Sequence, residues 1–143
     1  MIKIEYITYN KETYAIIVRH NNQFKKKGVN FVSKSNDLLQ LGFLNHSKNH
    51  QIRPHIHKKR ERLIDYCTEV LIVKEGSIKV FFYNYKKKNI NKSKILKKND
   101  LIILFKGGHG FQVLKNTKII EIKQGPYLKV SDKKIINEKD YTS

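Results

Sequence analysis

The sequence predicts an all-β fold, a sandwich or barrel of short antiparallel strands, and three observations support this prediction. Its apolar runs are short and rich in Ile, Val, Tyr and Phe, and polar or glycine-containing breaks separate them at intervals of roughly eight to twelve residues. Helical periodicity is weak everywhere. The 143 residues, 39% of them hydrophobic, fit one globular domain, so residues 1–143 are expected to fold as a single unit.

The candidate strands succeed one another along the chain. The runs 2–9 and 13–20 flank a short polar turn and predict an opening hairpin. The later candidates are the apolar runs 28–33, 39–46, 51–57, 69–75, 77–85, 92–98, 100–105, 110–114 and 117–123. Little room remains for helix, and "SKSNDLLQLG", with Ser35 or Asn36 as a possible N-cap, is the best place for a helical turn.

The formal net charge of +18 raises the question of nucleic acid binding. Only four of the thirty basic residues are Arg, the side chain best suited to bidentate contacts with phosphate or guanine. The Lys clusters fall between apolar runs, where loops are expected. A solvated surface, together with the Lys-, Asn- and Ile-rich usage of an AT-rich genome, explains this charge better than a nucleic acid footprint does.

Cys67 is the only cysteine, so no disulfide forms within the chain and a reducing compartment is expected. The N-terminus has no basic region followed by a long apolar core, and no apolar run approaches the roughly 18 residues of a spanning helix. We therefore expect a cytoplasmic protein without a membrane segment.

Two histidines one residue apart, His55 and His57, lie in "RPHIHK". Side chains alternate along a strand, so both imidazoles point to the same face if this segment is extended. Pro54 favours extension because its ring fixes φ and biases Arg53 away from helix. Such a pair can share one metal ion, although two histidines on a hydrated face are the commoner case.

A carboxylate and a third histidine extend this pattern. Glu69 opens the apolar run "EVLIVKEG", and Gly76 follows after six intervening residues. His109 lies in "FKGGHGF", where glycines permit positive φ and bring the imidazole close to a neighbouring strand. These residues lie far apart in the chain, so they can share a site only through the fold.

With "HIH", "EVLIVKEG" and "NDLIILFKGGHG", the sequence resembles the cupin superfamily over roughly residues 41–125. The glycine-rich "GGHGF" followed by "EIKQGPY" looks like small bacterial cupins associated with surface-polysaccharide or sugar-nucleotide pathways. The resemblance implies a jelly-roll β-barrel core over about 41–125, with N-terminal strands in 1–40 and a polar tail in 128–143. Two departures stand out: eleven residues separate His57 from Glu69, and His109 follows Gly107 one residue early.

The resemblance implies a metal ion bound by His55, His57, Glu69 and His109. Three imidazoles and one carboxylate leave open positions on an octahedral ion and suit Fe, Mn, Ni or Zn without choosing among them. An open metal can polarise a carbonyl or hydroxyl group of a ligand. If the eleven residues after His57 form an excursion at the barrel mouth, Glu69 still reaches the ion.

Four further residues are candidates for substrate binding. Arg53 shares the predicted strand face of the two histidines, and Arg62 could reach an anion at the cavity mouth. Tyr83 belongs to an alternating aromatic set of which one face lines the barrel. Lys123 shares a face with Glu121; the usual strand pattern turns both outward, and the alternative makes them an acid/base pair inside the cavity.

The leading functional hypothesis is a metal-dependent cupin that isomerises or epimerises a small polar anionic metabolite, most plausibly a sugar or sugar nucleotide, with a general base that the sequence does not identify. The alternative is a non-catalytic cupin that binds a sugar or metabolite for sensing or regulation. A homodimer is expected because cupins commonly pair and because "AIIV" and "LIIL" are apolar on both faces.

Overall fold

The computed structural model describes residues 3–19, 25–128 and 133–136. Within these ranges the chain is all-β and contains no helix, so none of the described segments forms a helix that could cross a membrane. The strands are β1 (Ile4–Tyr9), β2 (Glu12–Val18), β3 (Gly28–Phe31), β4 (Gly42–Asn45), β5 (Glu69–Tyr83), β6 (Asn89–Lys97), β7 (Leu101–Leu104) and β8 (Gly108–Lys123). The all-β, barrel-like fold class predicted from the sequence is confirmed.

Six of these strands form one antiparallel sheet in the order β1-β2-β7-β5-β6, with β8 also paired to β5. On one edge of β5, β7 pairs with the first four residues and β6 with the second half. On the other edge, β8 follows β5 along its whole length. The strands β3 and β4 form a separate hairpin.

The long strand β5 bends at Gly76. This glycine has φ +75°, and a Cβ at its position would lie 2.0 Å from the backbone oxygen of Asn116, so only glycine fits there. The register between β5 and β8 also shifts between Val73 and Ile78, and such bulges bend a strand and increase its twist. Gly76 thus joins two predicted strands, 69–75 and 77–85, into one bent strand.

The bend brings the two ends of β5 together. Leu104, the last residue of β7, pairs with Glu69 at the start of β5. Gly108, the first residue of β8, pairs with Tyr83 at the end of β5. Because residues 104 to 108 can span at most about 14 Å, the ends of β5 must be close in space. The sheet therefore curls into a half-barrel.

Apolar side chains pack on both faces of the curled sheet. The inner cluster contains Ile7, Tyr14, Ala15, Ile17, Leu71, Val73, Ile78, Val80, Phe82, Leu96, Ile102 and Leu104. The outer cluster of Ile16, Val18, Val70 and Ile103 is covered by Val32, Leu39, Leu41 and Phe43, among others. The segment in which a helical turn was predicted forms non-helical turns instead and contributes two of these covering leucines.

The two apolar faces of β2 and β7 are therefore both buried within one chain. Ile17 and Ile102 pack in the inner cluster, whereas Ile16 and Ile103 pack in the outer one. The pattern from which the sequence predicted a homodimer is satisfied without a partner. Any dimer must use another surface.

The largest departure from the sequence prediction is the connection between β4 and β5. Residues 47–67, here called the arm, are exposed throughout and form no strand, so the predicted strand over 51–57 is wrong. Pro54 and alternating polarity favour an extended chain, but a strand also needs a neighbour to accept its hydrogen bonds, and no described strand pairs with the arm. Of the predicted polar tail, 129–132 and 137–143 lie outside the described residues.

Candidate functional site

The larger of the two pockets described for the chain opens where the ends of β5 meet. Its volume is about 570 Å³, within the range of small-molecule sites. It is lined by Asp65, Tyr66, Cys67, Glu69, Tyr83, Tyr85, Lys106, Gly107, Gly108, His109, Gly110, Phe111, Lys133, Lys134, Ile135 and Ile136. The curl of the sheet thus creates a concave site from residues that are distant in sequence.

A carboxylate–imidazole pair lies in this pocket. Glu69 starts β5 and pairs in register with Lys123, while His109 lies near the start of β8 and pairs with Phe82 at the other end of β5. The curl nevertheless places Nε2 of His109 3.0 Å from Oε2 of Glu69. The side chains are 26% and 10% exposed, respectively, so the pair is partly shielded from water.

Glu69 is held in its ionised form. The hydrogen bond from His109 lowers the pKa of Glu69 below its ordinary value, and this effect outweighs burial, which acts in the opposite direction. The positive charges of Lys123 and Lys133 lower the pKa further. A carboxylate that accepts the Nε2 proton fixes the tautomer of a neutral imidazole and leaves the lone pair on Nδ1.

A glycine turn delivers His109, as the sequence predicted. Gly107 has φ +74°, and a Cβ there would lie 2.3 Å from Cε1 of Tyr14 and 2.8 Å from the backbone oxygen of Tyr83. Any larger residue would push the turn away from β2 and β5. The tight fit therefore sets the position from which β8 begins and from which the imidazole reaches Glu69.

The cationic side chains around the pocket outnumber the carboxylates. The three lysines Lys106, Lys133 and Lys134 line it, against the two carboxylates of Asp65 and Glu69. Nζ of Lys106 lies 2.8 Å from Oε1 of Glu12, and this hydrogen bond raises the pKa of Lys106. Lys106 is thus charged at neutral pH, and a pocket lined by more lysines than carboxylates favours an anionic ligand.

Tyrosines form one wall of the pocket. The rings of Tyr66 and Tyr85 stack with centroids 5.3 Å apart, and Tyr14 lies 6.5 Å from Tyr85. Burial raises the pKa of Tyr85, and a hydrogen bond with Tyr66 raises it further, whereas the N–H of Gly107, which donates to the Tyr85 hydroxyl, opposes both effects. The Tyr85 phenol therefore stays protonated at neutral pH, and the hydroxyl groups in this wall can donate hydrogen bonds to a ligand.

The predicted metal ligands divide into two groups. Glu69 and His109 come together in the pocket, but His55 and His57 lie on the exposed arm, their rings 5.1 Å apart. Nδ1 of His55 lies 2.9 Å from the backbone oxygen of Arg53. Across the described ranges no three His, Cys, Asp or Glu side chains cluster closely enough to hold an ion. In the described arrangement the facing atoms of Glu69 and His109 bond to each other, and His55 and His57 do not join them.

The predicted substrate-binding residues divide in the same way. Tyr83 lines the pocket, whereas Arg53 and Arg62 are exposed on the arm and do not. Lys123 pairs with Glu69 and so shares the inner face of the sheet, contrary to the outward orientation expected from alternation. Its ammonium group lies 4.6 Å from the ring centroid of Tyr127.

Sequence reasoning missed several lining residues. Lys106 immediately precedes the glycine turn, and Tyr85 continues the aromatic alternation that led to Tyr83, so both carried a local signal. Tyr66 and the tail residue Lys133 carried none, because only the curl and the chain ends bring them to the pocket. No protein-family model, curated protein or solved structure matches this chain.

Proposed function

We propose that the pocket binds a small polar anionic metabolite and that the Glu69–His109 pair transfers a proton within it. The observation that supports this proposal is the 3.0 Å contact between the two side chains at a pocket also lined by lysines and tyrosines. The most plausible ligand is a sugar or a sugar nucleotide, and the most plausible reaction is isomerisation or epimerisation. Both reactions begin when a base removes a proton from the carbon next to a carbonyl group.

The roles of the pair follow from its electrostatics. Glu69 holds the Nε2 proton of His109, so the neutral imidazole offers Nδ1 as the base. When His109 accepts a proton from a carbon next to a carbonyl group, the Glu69 carboxylate stabilises the resulting imidazolium. The imidazolium can then return the proton to the adjacent carbon, which completes an isomerisation, whereas epimerisation needs a second acid on the opposite face of the first carbon.

The remaining walls suit such a ligand. Lys106, Lys133 and Lys134 can pair with its phosphate or carboxylate groups. Tyr66 and Tyr85 offer hydroxyl donors for its oxygens and, at 46% and 52% exposure, ring area on which a sugar or base can lie.

The test combines binding with proton exchange. Sugar phosphates, uronic acids and nucleotide sugars are screened against the protein by NMR line broadening, and bound compounds are then incubated in D₂O. We expect deuterium to enter the carbon next to the carbonyl group, and Glu69→Gln to slow this exchange about 100-fold or more while leaving binding within about tenfold. Glu75→Gln is the matched control, because Glu75 also lies on β5 and forms an ion pair, with Lys118, but is exposed.

Exchange that is unchanged in Glu69→Gln contradicts the proposed proton transfer. Binding without any exchange favours the alternative function, a non-catalytic sugar- or metabolite-binding protein. A screen in which no anionic compound binds removes the proposal altogether.

A metal-dependent cupin is the second candidate. It is favoured by the contact between Glu69 and His109, two of the four ligands that the resemblance implied. It requires His55 and His57 to reach the pair, which they do not do in the described arrangement. Elemental analysis after incubation with Fe, Mn, Ni or Zn tests it: one ion per site, lost in His55→Ala and in His109→Ala but retained in Glu75→Gln, is the expected outcome.

Cytoplasmic location and a homodimer complete the proposal, and nucleic acid is not among the proposed partners. The dimer does not rest on β2 and β7, whose two faces are buried within the chain.

A further inference from the structure

The arm exposes several large apolar side chains to water. Ile56 is 94% exposed and Leu63 is 82% exposed. Ile52 is 55% exposed and Ile64 is 46% exposed. Isolated exposed aliphatic residues are normal, but several on one extended segment are typical of a surface that another molecule covers.

The inner face of the half-barrel is likewise uncovered along β8. Residues that pair directly across antiparallel strands point to the same face, so Phe111, Val113 and Ile119 share a face with the buried Val80, Ile78 and Val73. They are nonetheless 42%, 64% and 38% exposed. Among the described strands β8 pairs only with β5, so one of its edges is open as well. A long strand with an open edge and exposed apolar side chains readily accepts another extended segment.

We propose that two copies of this chain exchange residues 51–64 of their arms, so that this segment of each copy lies against the inner face of β8 and the pocket of the other copy. The same chain carries an exposed donor segment, the arm, and an exposed acceptor surface on β8. A single two-fold axis places the arm of each copy on the acceptor surface of the other, so the assembly closes at two copies. In placing His55 and His57 at the partner's pocket, the inference rests on the proposed function. The dimer itself does not.

The arm's own ends argue for the second copy. Asn45 is paired with Gly28 before the arm begins. After it, Tyr66 stacks on Tyr85, and the N–H of Thr68 donates to Oε1 of Gln124 at 2.9 Å. With both ends held, residues 51–64 line no part of the chain's own pocket, whose lining starts at Asp65. His55 and His57 alternate along an extended segment, so they present one face to the pocket they meet.

The size of the contact suits a stable dimer. An arm of residues 51–64, with the acceptor residues on β8 and around the pocket, supplies roughly 20–30 residues per copy, the size of a standard interface. Both copies are strongly cationic, with a formal charge of +18 each. Salt screens their repulsion, so association through apolar arms should tighten as salt is added, whereas binding of the cationic arm to a polyanion would weaken.

The first test uses substitutions at highly exposed positions, which should not change the stability of a monomer. Ile56→Asp and Leu63→Asp change side chains that make almost no contact within the chain, so thermal unfolding of a monomer should not change. Light scattering with size exclusion should show twice 16.9 kDa for the unmodified protein. Each substitution should raise the dimer dissociation constant about 100-fold, and Leu38→Asp, at a 47% exposed position outside the arm, should not. A monomeric unmodified protein, or a dimer indifferent to both arm substitutions, overturns the inference.

The second test distinguishes exchange from an arm that folds back on its own pocket. Cys67 is the only cysteine and lines the pocket, so His57→Cys provides exactly one further thiol on the arm. Mild oxidation should give a covalent dimer that Cys67→Ser abolishes, while Lys26→Cys, in an exposed loop, should give none. A disulfide within one chain, or a covalent dimer that persists without Cys67, refutes the exchange.

The two proposals fail separately in these tests. A protein that exchanges deuterium but is monomeric keeps the proposed function and loses the arm exchange. A protein that forms the trapped dimer but binds no anionic metabolite keeps the exchange and loses the function.

Discussion

The ion pair between Glu5 and Arg19 offers the most quantitative test of how the half-barrel is held together. Nε of Arg19 lies 2.7 Å from Oε1 of Glu5 on the neighbouring strand, and Lys94 of β6 approaches the other carboxylate oxygen at 3.0 Å. Arg19 also donates to Oδ2 of the buried Asp100 at 2.9 Å. Glu5→Gln therefore removes the charge that links β1 to the rest of this network.

The magnitude follows from the pKa of Glu5. The hydrogen bond from Arg19 lowers this pKa from 4.5 to about 2, despite the opposing effect of burial. A pKa shift of this size corresponds to a contribution of about 3 kcal/mol at most to the free energy of unfolding, and partial solvent exposure reduces this contribution to about 2 kcal/mol. Because the folded pKa lies below the unfolded one, the stabilisation is complete above the ordinary carboxyl pKa and is lost as the pH falls towards the folded value.

Urea denaturation measures this directly. At about pH 7 the free energy of unfolding of Glu5→Gln should lie about 2 kcal/mol below that of the unmodified protein, with the same dependence on urea concentration. The difference should shrink as the pH falls from 4.5 and vanish near pH 2. Glu75→Gln, whose side chain is 55% exposed, should change stability by less than about 0.5 kcal/mol. A deficit for Glu5→Gln that is absent at pH 7, or that persists unchanged at pH 2, would refute the reasoning.

Three further predictions concern the bend and the pocket. Gly76→Ala should lower the free energy of unfolding by about 3 kcal/mol or more, since a backbone oxygen occupies the Cβ position. Gly28→Ala, at φ +81° with open space around it, should lower it by only about 1 kcal/mol. Urea denaturation compares the two variants. Gly107→Ala should shift the NMR signals of His109 as well as lower stability, because its Cβ displaces the turn. Below pH 4.5 the free energy of unfolding of Glu69→Gln should fall less steeply with pH than that of the unmodified protein, because the variant lacks the carboxyl group whose pKa is lowered in the fold. Unfolding at several pH values measures this difference.

Local pattern was enough to predict most of the sheet, because pairing and burial of these strands obey rules that operate within a few residues. The apolar runs at Ile4–Tyr9, Glu12–Val18 and Leu101–Leu104 are strands as expected. The glycine at 76 was visible as a special position, but the sequence indicated a break between strands there, whereas the structure has a bend within one. A positive φ is compatible with both, and only the length of β8 on the other edge decides between them.

The pocket was predictable to the extent that its residues carry their own signal. The cupin resemblance implied that Glu69 and His109 share one metal ion, and the two side chains lie in direct contact. Lys123 was a candidate for substrate binding although the usual strand pattern favoured the outward face, and its pairing with Glu69 puts it on the inner face. The usual pattern is misleading here, because polar-out alternation presumes that the inner face of a strand is covered. Along β8 it is not, since Val113 on the same face is 64% exposed.

The arm shows where a single sequence stops being informative. Alternating residues such as His55, Ile56 and His57 predict an extended segment with two different faces, and this holds whether the neighbour is a strand of the same chain or of another copy. The choice depends on which surface is open, and that is a property of the whole curled sheet. In the proposed dimer, the exposed Ile56 of the arm and the exposed Val113 of β8 belong to the two surfaces that contact each other. Neither surface can be recognised as part of an interface without knowing the other. The same arm exchange between two copies determines whether His55 and His57 lie on the surface or at a pocket.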